Sequence, residues 1–160
     1  RHDQLTGALN RRGLDEIYEN EVARANRRRS PLCVALLDID NFKKLNDSLG
    51  HDAGDAALIH LVSVIRETLR PQDTLARFGG EEFIILLPDT AVADANKALV
   101  RLQRELTKRY FLANNEKVLI TFSAGLTELR SDDTQATVIK RADEAMYTAK
   151  NTGKNRVVSV

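Results

Sequence analysis

Two hydrophobic periods alternate along the chain and predict an alternation of helices and strands. Apolar residues recur every three or four positions in four stretches, which predicts amphipathic helices at residues 11–29, 52–69, 91–108 and 134–151. Continuous apolar runs predict buried strands at residues 32–37 and 84–87. Further strands are predicted at residues 117–126 and, as a last short strand, at 156–160. The second long helix begins at Asp52 or Asp55, after a short helix that starts at Asp40 and ends at Gly50.

A glycine pair interrupts the pattern between two apolar runs. Gly79 and Gly80 separate residues 74–76 from residues 84–87, and they predict a tight hairpin because glycine tolerates positive φ. Glu81 and Glu82 then lie at or beside the tip. Taken alone, this stretch is also typical of a solvated acidic turn. Arg77 either stabilises charge near the tip or pairs with Glu82.

A second acidic segment, Asp38-Ile39-Asp40, ends the first predicted strand. Helical crossover makes the first two strands parallel, so the hairpin turn lies at the sheet edge that carries Asp38. If the first and third strands are neighbours, as in a ferredoxin-like sheet, Asp38 converges with Glu81. Two carboxylates repel unless a cation lies between them, and without a His/Cys set the hard oxygen ligands indicate Mg²⁺. The Ile39 carbonyl is placed to contribute.

Basic and backbone donors flank these carboxylates. The N–H groups around Asn41 and Phe42 open a helix and form a phosphate cradle. Lys43 stands in its first turn, and Lys150 and Lys154 follow at the end of the last long helix. Each lysine alone is typical of a solvated surface, but together with a metal site they indicate a triphosphate clamp.

Composition narrows the class of protein. The 160 residues predict one domain, with 42% hydrophobic and 29% charged residues. A net charge of +1, 5% aromatic residues and no Trp argue against a nucleic-acid or anionic-membrane surface. The single cysteine, Cys33, excludes an internal disulfide. No apolar run approaches roughly 20 residues and no signal-peptide pattern is seen, so we expect a cytoplasmic domain. Because no Met opens the chain, we expect a fragment of a longer regulatory protein, and membrane attachment of that parent is left open.

These motifs together resemble the GGDEF domains, the diguanylate cyclases. The resemblance extends over essentially the whole chain, through residues 3–12, 38–47, 50–55, 79–83 and 142–155. It implies an α/β (α+β) fold, a palm-like five-stranded, mostly antiparallel sheet flanked by helices. It also implies condensation of two GTP into cyclic di-GMP with loss of two pyrophosphates. Asp38, the Ile39 carbonyl and Glu81 then hold two Mg²⁺ ions, with Mn²⁺ as an alternative metal.

The resemblance also assigns the substrate contacts. Asn46 and Asp55 read guanine, whose N1–H and amino group both donate to a carboxylate, whereas adenine has no such donor pair. His51 is structural or contacts the ribose or base. Gly79 and Gly80 lie against the substrate. Glu81 accepts the hydroxyl proton, with Glu82 as the alternative. Since each domain binds one GTP, two copies must meet across a two-fold axis, and we expect an N-terminal sensory or dimerisation domain to govern their encounter.

Arg70-Pro71-Gln72-Asp73 resembles the RxxD inhibitory site of the family, at which the product binds. Arginine forks onto phosphate or guanine, and aspartate accepts guanine donors. Arg101, or otherwise Arg104, completes the site alongside Arg70 and Asp73. The alternatives are an ordinary loop with a surface ion pair and, for the whole domain, a non-catalytic GTP- or cyclic di-GMP-binding module. A different nucleotidyl transferase on the same sheet is a further alternative.

Overall fold

The structure, a computed structural model, describes residues 1–160. Its helices are α1 (Arg11–Arg28), α2 (Phe42–Leu49), α3 (His51–Thr68), α4 (Val92–Lys108) and α5 (Gln135–Asn151). Its strands are β1 (Leu32–Ile39), β2 (Thr74–Arg77), β3 (Glu82–Pro88), β4 (Phe111–Ala113), β5 (Glu116–Val118), β6 (Phe122–Glu128) and β7 (Val157–Ser159). None of the helices combines the length and hydropathy that crossing a bilayer requires.

Five strands form the central sheet in the order β2-β3-β1-β6-β7. The pairs β2–β3, β3–β1 and β1–β6 are antiparallel, and only β6–β7 is parallel because α5 crosses over between them. The first and third predicted strands, β1 and β3, are therefore neighbours. The mostly antiparallel five-stranded sheet flanked by helices confirms the predicted fold class.

The two faces of β1 pack against different helices. Cys33, Ala35 and Leu37 belong to a core shared with α3 and α4, whereas Val34 and Leu36 belong to a core shared with α1 and α5. This alternation follows from the two-residue period of a strand. Asp38 continues the series of Val34 and Leu36, which places its side chain on the face covered by α5.

The predicted strand at residues 117–126 is wrong, because two different strands occupy that stretch. Residues 111–118 form the separate β4–β5 hairpin, and the central strand β6 begins only at Phe122. Asn114 and Asn115 both have positive φ, 52° and 63°, the backbone that a two-residue hairpin turn requires. A stretch rich in β-branched and apolar residues cannot by itself show that a chain leaves one sheet and enters another.

Gly125 was predicted to mark a bulge or a close approach, and the structure shows the close approach. The β1–β6 register runs through Leu36 and Gly125 without an extra residue. A Cβ on Gly125 would collide with the backbone of α5 at Ala142 and Met146. The glycine therefore lets α5 lie directly on the sheet.

Candidate active site

The strand pairing brings the two acidic segments together at one edge of the sheet. Asp38 lies directly opposite Glu82 in the β1–β3 register, and the Ile39 N–H donates to the Glu81 carbonyl at 3.3 Å. Directly opposite residues of an antiparallel pair lie on the same face of the sheet, so the side chain of Asp38 lies beside that of Glu82. The carboxylate directly opposite Asp38 is thus Glu82 rather than the predicted Glu81, whose charge adds to the effect of burial in raising the pKa of Asp38.

The hairpin tip forms differently from the prediction. Neither Gly79 nor Gly80 has positive φ. The turn is instead closed by the Phe78 and Gly79 N–H groups, which donate to the Glu82 carbonyl at 2.8 and 3.3 Å. A Cβ on Gly79 would lie 3.2 Å from Glu82 Oε1, whereas one on Gly80 would meet open space. The absence of a side chain at Gly79 therefore leaves room for the Glu82 carboxylate, and Gly80 forms an open surface beside it.

Arg77 does not pair with Glu82, which was one of the two roles left open by the sequence. Its guanidinium group donates to the Gly80 carbonyl at 3.0 and 2.8 Å and pairs with Asp3 at 3.1 Å. Burial alone raises the pKa of Asp3, but hydrogen bonds from Thr6 and the charge of Arg77 lower it overall. The N-terminal turn is thus tied to the hairpin tip through one salt bridge.

Two lysines reach the carboxylate edge, Lys150 from the last turn of α5 and Lys154 from the loop that follows the helix. Lys150 Nζ donates to Asp38 Oδ1 at 2.7 Å and lies 3.7 Å from Asp40 Oδ1. Lys154 Nζ donates to Asn41 Oδ1 at 2.7 Å. Four of the predicted site residues, Asp38, Asn41, Lys150 and Lys154, are therefore in direct contact in two pairs.

The carboxylates carry more negative charge than their surroundings balance. Burial raises the pKa of Asp38, Glu81 and Asp40 raise it further, and only Lys150 opposes them. Burial also raises the pKa of Glu82, followed by the charges of Asp38, Asp143 and Glu81. Such a cluster favours an additional cation.

Asp40 is a buried structural residue that the sequence prediction left without a role. Its carboxylate accepts hydrogen bonds from Thr121 Oγ1 (2.6 Å), Ser123 Oγ (2.6 Å) and the Asn155 N–H (2.9 Å). Asp40 therefore joins the end of β1 to β6 and to the loop that carries Lys154. A second carboxylate directly after the strand β1, two residues beyond Asp38, was the available signal.

The residues of α2 and α3 that the sequence analysis predicted to contact substrate lie around one corner. Asn41 caps α2 in the left-handed conformation without a side-chain bond to the helix, which leaves the first-turn N–H groups near Phe42 and Lys43 without a side-chain acceptor. Asn46 rests against Gly54, where a Cβ would overlap it, and its Oδ1 is buried without a partner. His51 and Asp55 are exposed in the first turns of α3.

A contact from the β4–β5 hairpin holds this corner. Asn114 Nδ2 donates to the Leu49 carbonyl at 3.1 Å, just before Gly50 turns the chain from α2 into α3. The sequence indicated a turn at Asn114 but no contact, because the two segments are 65 residues apart.

A divalent cation fits the donor chemistry of the edge. No three His, Cys, Asp or Glu side chains are arranged to hold a metal ion. The predicted set needs only the Asp38 and Glu81 carboxylates and the Ile39 carbonyl, and Mg²⁺ takes few protein ligands and fills the rest with water and phosphate oxygens. All three are hard oxygen donors, and burial, joined by the charges of Glu81 and Asp40, raises the pKa of Asp38 despite the opposing Lys150.

The three predicted inhibitory-site residues line one groove of about 380 Å³. Arg70 pairs with Asp73 at 2.9 Å and also donates to Pro88 O and Thr90 Oγ1, at 3.1 and 2.6 Å. Arg101, from α4, lines the same groove and donates to Thr68 O at 3.1 Å. The structure therefore brings Arg101 to Arg70 and Asp73; Arg104, the alternative, is not among the lining residues.

Comparison with known proteins shows which family the chain resembles in sequence. The family model described as diguanylate cyclase, GGDEF domain, matches residues 1–156. The chain is 43% identical over 155 residues to the diguanylate cyclase DgcP of Pseudomonas aeruginosa. This alignment covers 97% of the chain and 23% of DgcP. The chain thus spans about a quarter of the length of that relative.

Two crystal structures have closely similar folds. The diguanylate cyclase SiaD of Pseudomonas aeruginosa, in complex with its activator SiaC, has a TM-score of 0.95 and 37% identity, covering 99% of this chain and 61% of SiaD. The GGDEF domain of DgcB from Caulobacter crescentus, in complex with c-di-GMP, has a TM-score of 0.93 and 35% identity. The match covers 99% of this chain and 94% of the DgcB domain.

Proposed function

The chain belongs to the diguanylate cyclase, GGDEF domain family, and we propose that residues 1–160 form a catalytic domain that condenses two GTP into cyclic di-GMP and two pyrophosphates. The observation that carries the proposal is the meeting of Asp38 with Glu82 and Lys150 at the hairpin edge. A purely structural domain has no need for clustered carboxylates with raised pKa values at such an edge.

The carboxylate edge supplies the chemistry. Asp38, the Ile39 carbonyl and Glu81 hold the divalent cations, for which we propose two Mg²⁺ ions, replaceable by Mn²⁺. Bound cations of this kind stabilise charge on the α-phosphate and on departing pyrophosphate. The 3′-hydroxyl proton passes to Glu81 or Glu82. The raised pKa of Glu82 supports the second choice, because a better base holds the proton more tightly.

Guanine recognition is assigned to the corner between α2 and α3. The buried, unpartnered Asn46 Oδ1 needs a donor, which guanine provides through its N–H groups. Asp55, one turn into α3, accepts from the N1–H and amino group. His51 at the start of α3 remains either structural or a ribose contact.

The triphosphate lies between the hairpin and the start of α2. The first-turn N–H groups near Asn41 and Phe42 bind phosphate oxygens, and Lys43, Lys150 and Lys154 neutralise them. The open surface over Gly80, and the space that Gly79 leaves beside Glu82, accommodate the substrate.

Catalysis needs two copies of this domain, because each binds one guanylate of a two-guanylate product. The two active sites face one another across a two-fold axis, and a preceding sensory or dimerisation segment brings them together. The expected sign is a specific activity that rises with protein concentration. Activity that is independent of dilution would argue against this arrangement.

The groove formed by Arg70, Asp73 and Arg101 is proposed to bind the product and inhibit turnover. The c-di-GMP complex of DgcB supports binding of this ligand within the family. Arg70→Ala should weaken cyclic di-GMP binding about 10-fold or more, since it removes charge-assisted hydrogen bonds, and should keep GTP consumption linear as product accumulates. Arg104→Ala is the matched control in calorimetric titrations. Equal inhibition in both variants would refute the site.

Incubation with GTP and Mg²⁺, followed by chromatographic separation of the nucleotides, tests the function itself. Cyclic di-GMP with pyrophosphate supports the cyclase. Binding of GTP or cyclic di-GMP without turnover, even when a fused coiled coil forces dimerisation, supports the non-catalytic module instead. Any linear or mixed nucleotide product supports a different nucleotidyl transferase.

A further inference from the structure

Lys150 has two proposed partners, Asp38 and the triphosphate, that compete for its ammonium group. Its ammonium group is bonded to Asp38 Oδ1 at 2.7 Å, yet the proposed function requires it on the triphosphate. The same Asp38 carboxylate is proposed to ligate the metal. A lysine and a divalent cation that share one carboxylate repel each other and compete for its lone pairs.

The surroundings of Lys150 leave it no third partner of comparable strength. Asp40 Oδ1 is 3.7 Å away, and both Asp40 oxygens already accept bonds from Thr121, Ser123 and the Asn155 N–H. Lys150 is 26% exposed and belongs to the last turn of α5, so its flexible stem can turn towards solvent and an incoming phosphate. Asp38, by contrast, is held in β1 and only 13% exposed.

We propose, building on the function given above, that Lys150 is a positioning residue with two exchangeable partners. In the metal-free protein it neutralises Asp38 and holds the carboxylate edge in its binding arrangement. When a divalent cation is bound by Asp38, Lys150 moves to the triphosphate. Cation and nucleotide then strengthen each other's binding. A bound nucleotide draws Lys150 away from Asp38, where it competes with the cation, and a bound cation releases Lys150 from Asp38 to the triphosphate.

The test measures Mn²⁺ alone, without nucleotide, by the electron paramagnetic resonance signal of the free ion. Lys150→Met keeps the length of the side chain but removes the competing charge, and should bind Mn²⁺ about 10-fold more tightly than the unmodified protein, as expected for loss of one charged hydrogen bond. Lys154→Met is the matched control. It removes the same charge nearby, but from Asn41 rather than from a carboxylate, and should change the affinity by no more than about twofold.

A second neutral variant, Lys150→Gln, must repeat the result, and thermal melting verifies that each variant folds. If Mn²⁺ binds equally more tightly to the Lys150 and Lys154 variants, the cause is loss of positive charge near the site in general, and the proposed exchange is wrong. An unchanged Mn²⁺ affinity in both Lys150 variants would also overturn the exchange.

The nucleotide arm uses 3′-deoxy-GTP, which lacks the attacking hydroxyl. This ligand should tighten Mn²⁺ binding more in the unmodified protein than in Lys150→Met. Equal tightening would contradict the exchange. Neither arm depends on turnover, so a protein that binds Mn²⁺ as described but forms no cyclic di-GMP would refute the proposed function and leave this inference standing.

Discussion

The two ends of α5 each pair a basic residue with an aspartate, and the pairs differ in their surroundings. Near the N-terminal end, Arg141 from the second turn of α5 reaches back to Asp133, which precedes the helix, and donates to both its oxygens at 2.9 and 2.6 Å. It also donates to Thr127 Oγ1 and to the Glu128 carbonyl. At the C-terminal end, Lys150 makes one 2.7 Å bond to Asp38 among several other carboxylates.

The pKa values of the two aspartates are shifted in opposite directions. The hydrogen bond from Arg141 lowers the pKa of Asp133 far below its usual range, whereas burial raises the pKa of Asp38 despite Lys150. The first pair is satisfied and stabilises the fold. The second leaves negative charge that a ligand must balance, as functional sites commonly do at the expense of stability.

The largest expected effect separates activity from stability at the Lys150 end. Asp38→Asn should reduce cyclase turnover on the order of 1000-fold, because a metal ligand is lost. The free energy of unfolding should stay equal or rise, since the ionised, buried Asp38 is disfavoured in the folded state. Product chromatography and urea unfolding measure the two quantities. A large loss of stability would mean that Asp38 is structural, like Asp133.

At the other end, Arg141→Met should show the reverse pattern. Removing one partner from a nearly buried pair, 18% and 4% exposed, should lower the unfolding free energy by about 2–4 kcal/mol. The initial rate of GTP turnover should change less than twofold. Lys140→Met, the exposed neighbour on the same helix, is the control in urea titrations. If Arg141→Met and Lys140→Met unfold at the same urea concentration, the contrast between the two ends fails.

Asp40 sharpens the comparison because it is satisfied like Asp133 but lies beside Asp38. Asp40→Asn should lower the unfolding free energy by about 1–2 kcal/mol, because an amide nitrogen cannot accept the bonds that the carboxylate receives. It should also raise the KM for GTP by loosening the loop of Lys154. Asp132→Asn, an exposed carboxylate, is the control. A change in kcat with KM unaltered would instead place Asp40 in the chemistry.

The smallest effect is the pH dependence of the Arg141 variant. An aspartate whose pKa is lowered on folding stabilises the protein fully above its unfolded pKa of 3.8, and this contribution is lost as the pH falls towards the folded pKa. The stability gap between the unmodified protein and Arg141→Met should therefore stay constant from about pH 7 to 5 and narrow below about pH 4. Urea titrations across this range measure the gap, and a gap that widens in acid contradicts the pairing.

Much of this architecture is predictable because it is local. Helical periodicity located α1, α3, α4 and α5 to within one or two residues when the Asp52 start of α3 is taken. The adjacency of β1 and β3 was only a condition of the sequence argument, by analogy with a ferredoxin-like sheet, and the structure supplies it. The β4–β5 hairpin was not predicted, because its short strands show no alternation distinct from the apolar run that follows. The positive φ expected at Gly79 and Gly80 was wrong, since a longer turn closes through the Glu82 carbonyl.

The sequence by itself determined the family, the order of elements and the carboxylates that close β1 and open β3, because periodicity and motif spacing are written in neighbouring residues. Only the tertiary structure decided which groups are paired: Arg77 with Asp3, Lys150 with Asp38, Asp40 with the Asn155 N–H, and Asn114 with Leu49. These contacts join segments 65 to 115 residues apart. Their existence depends on strand register and on the packing of α5 across Gly125, which no local pattern specifies.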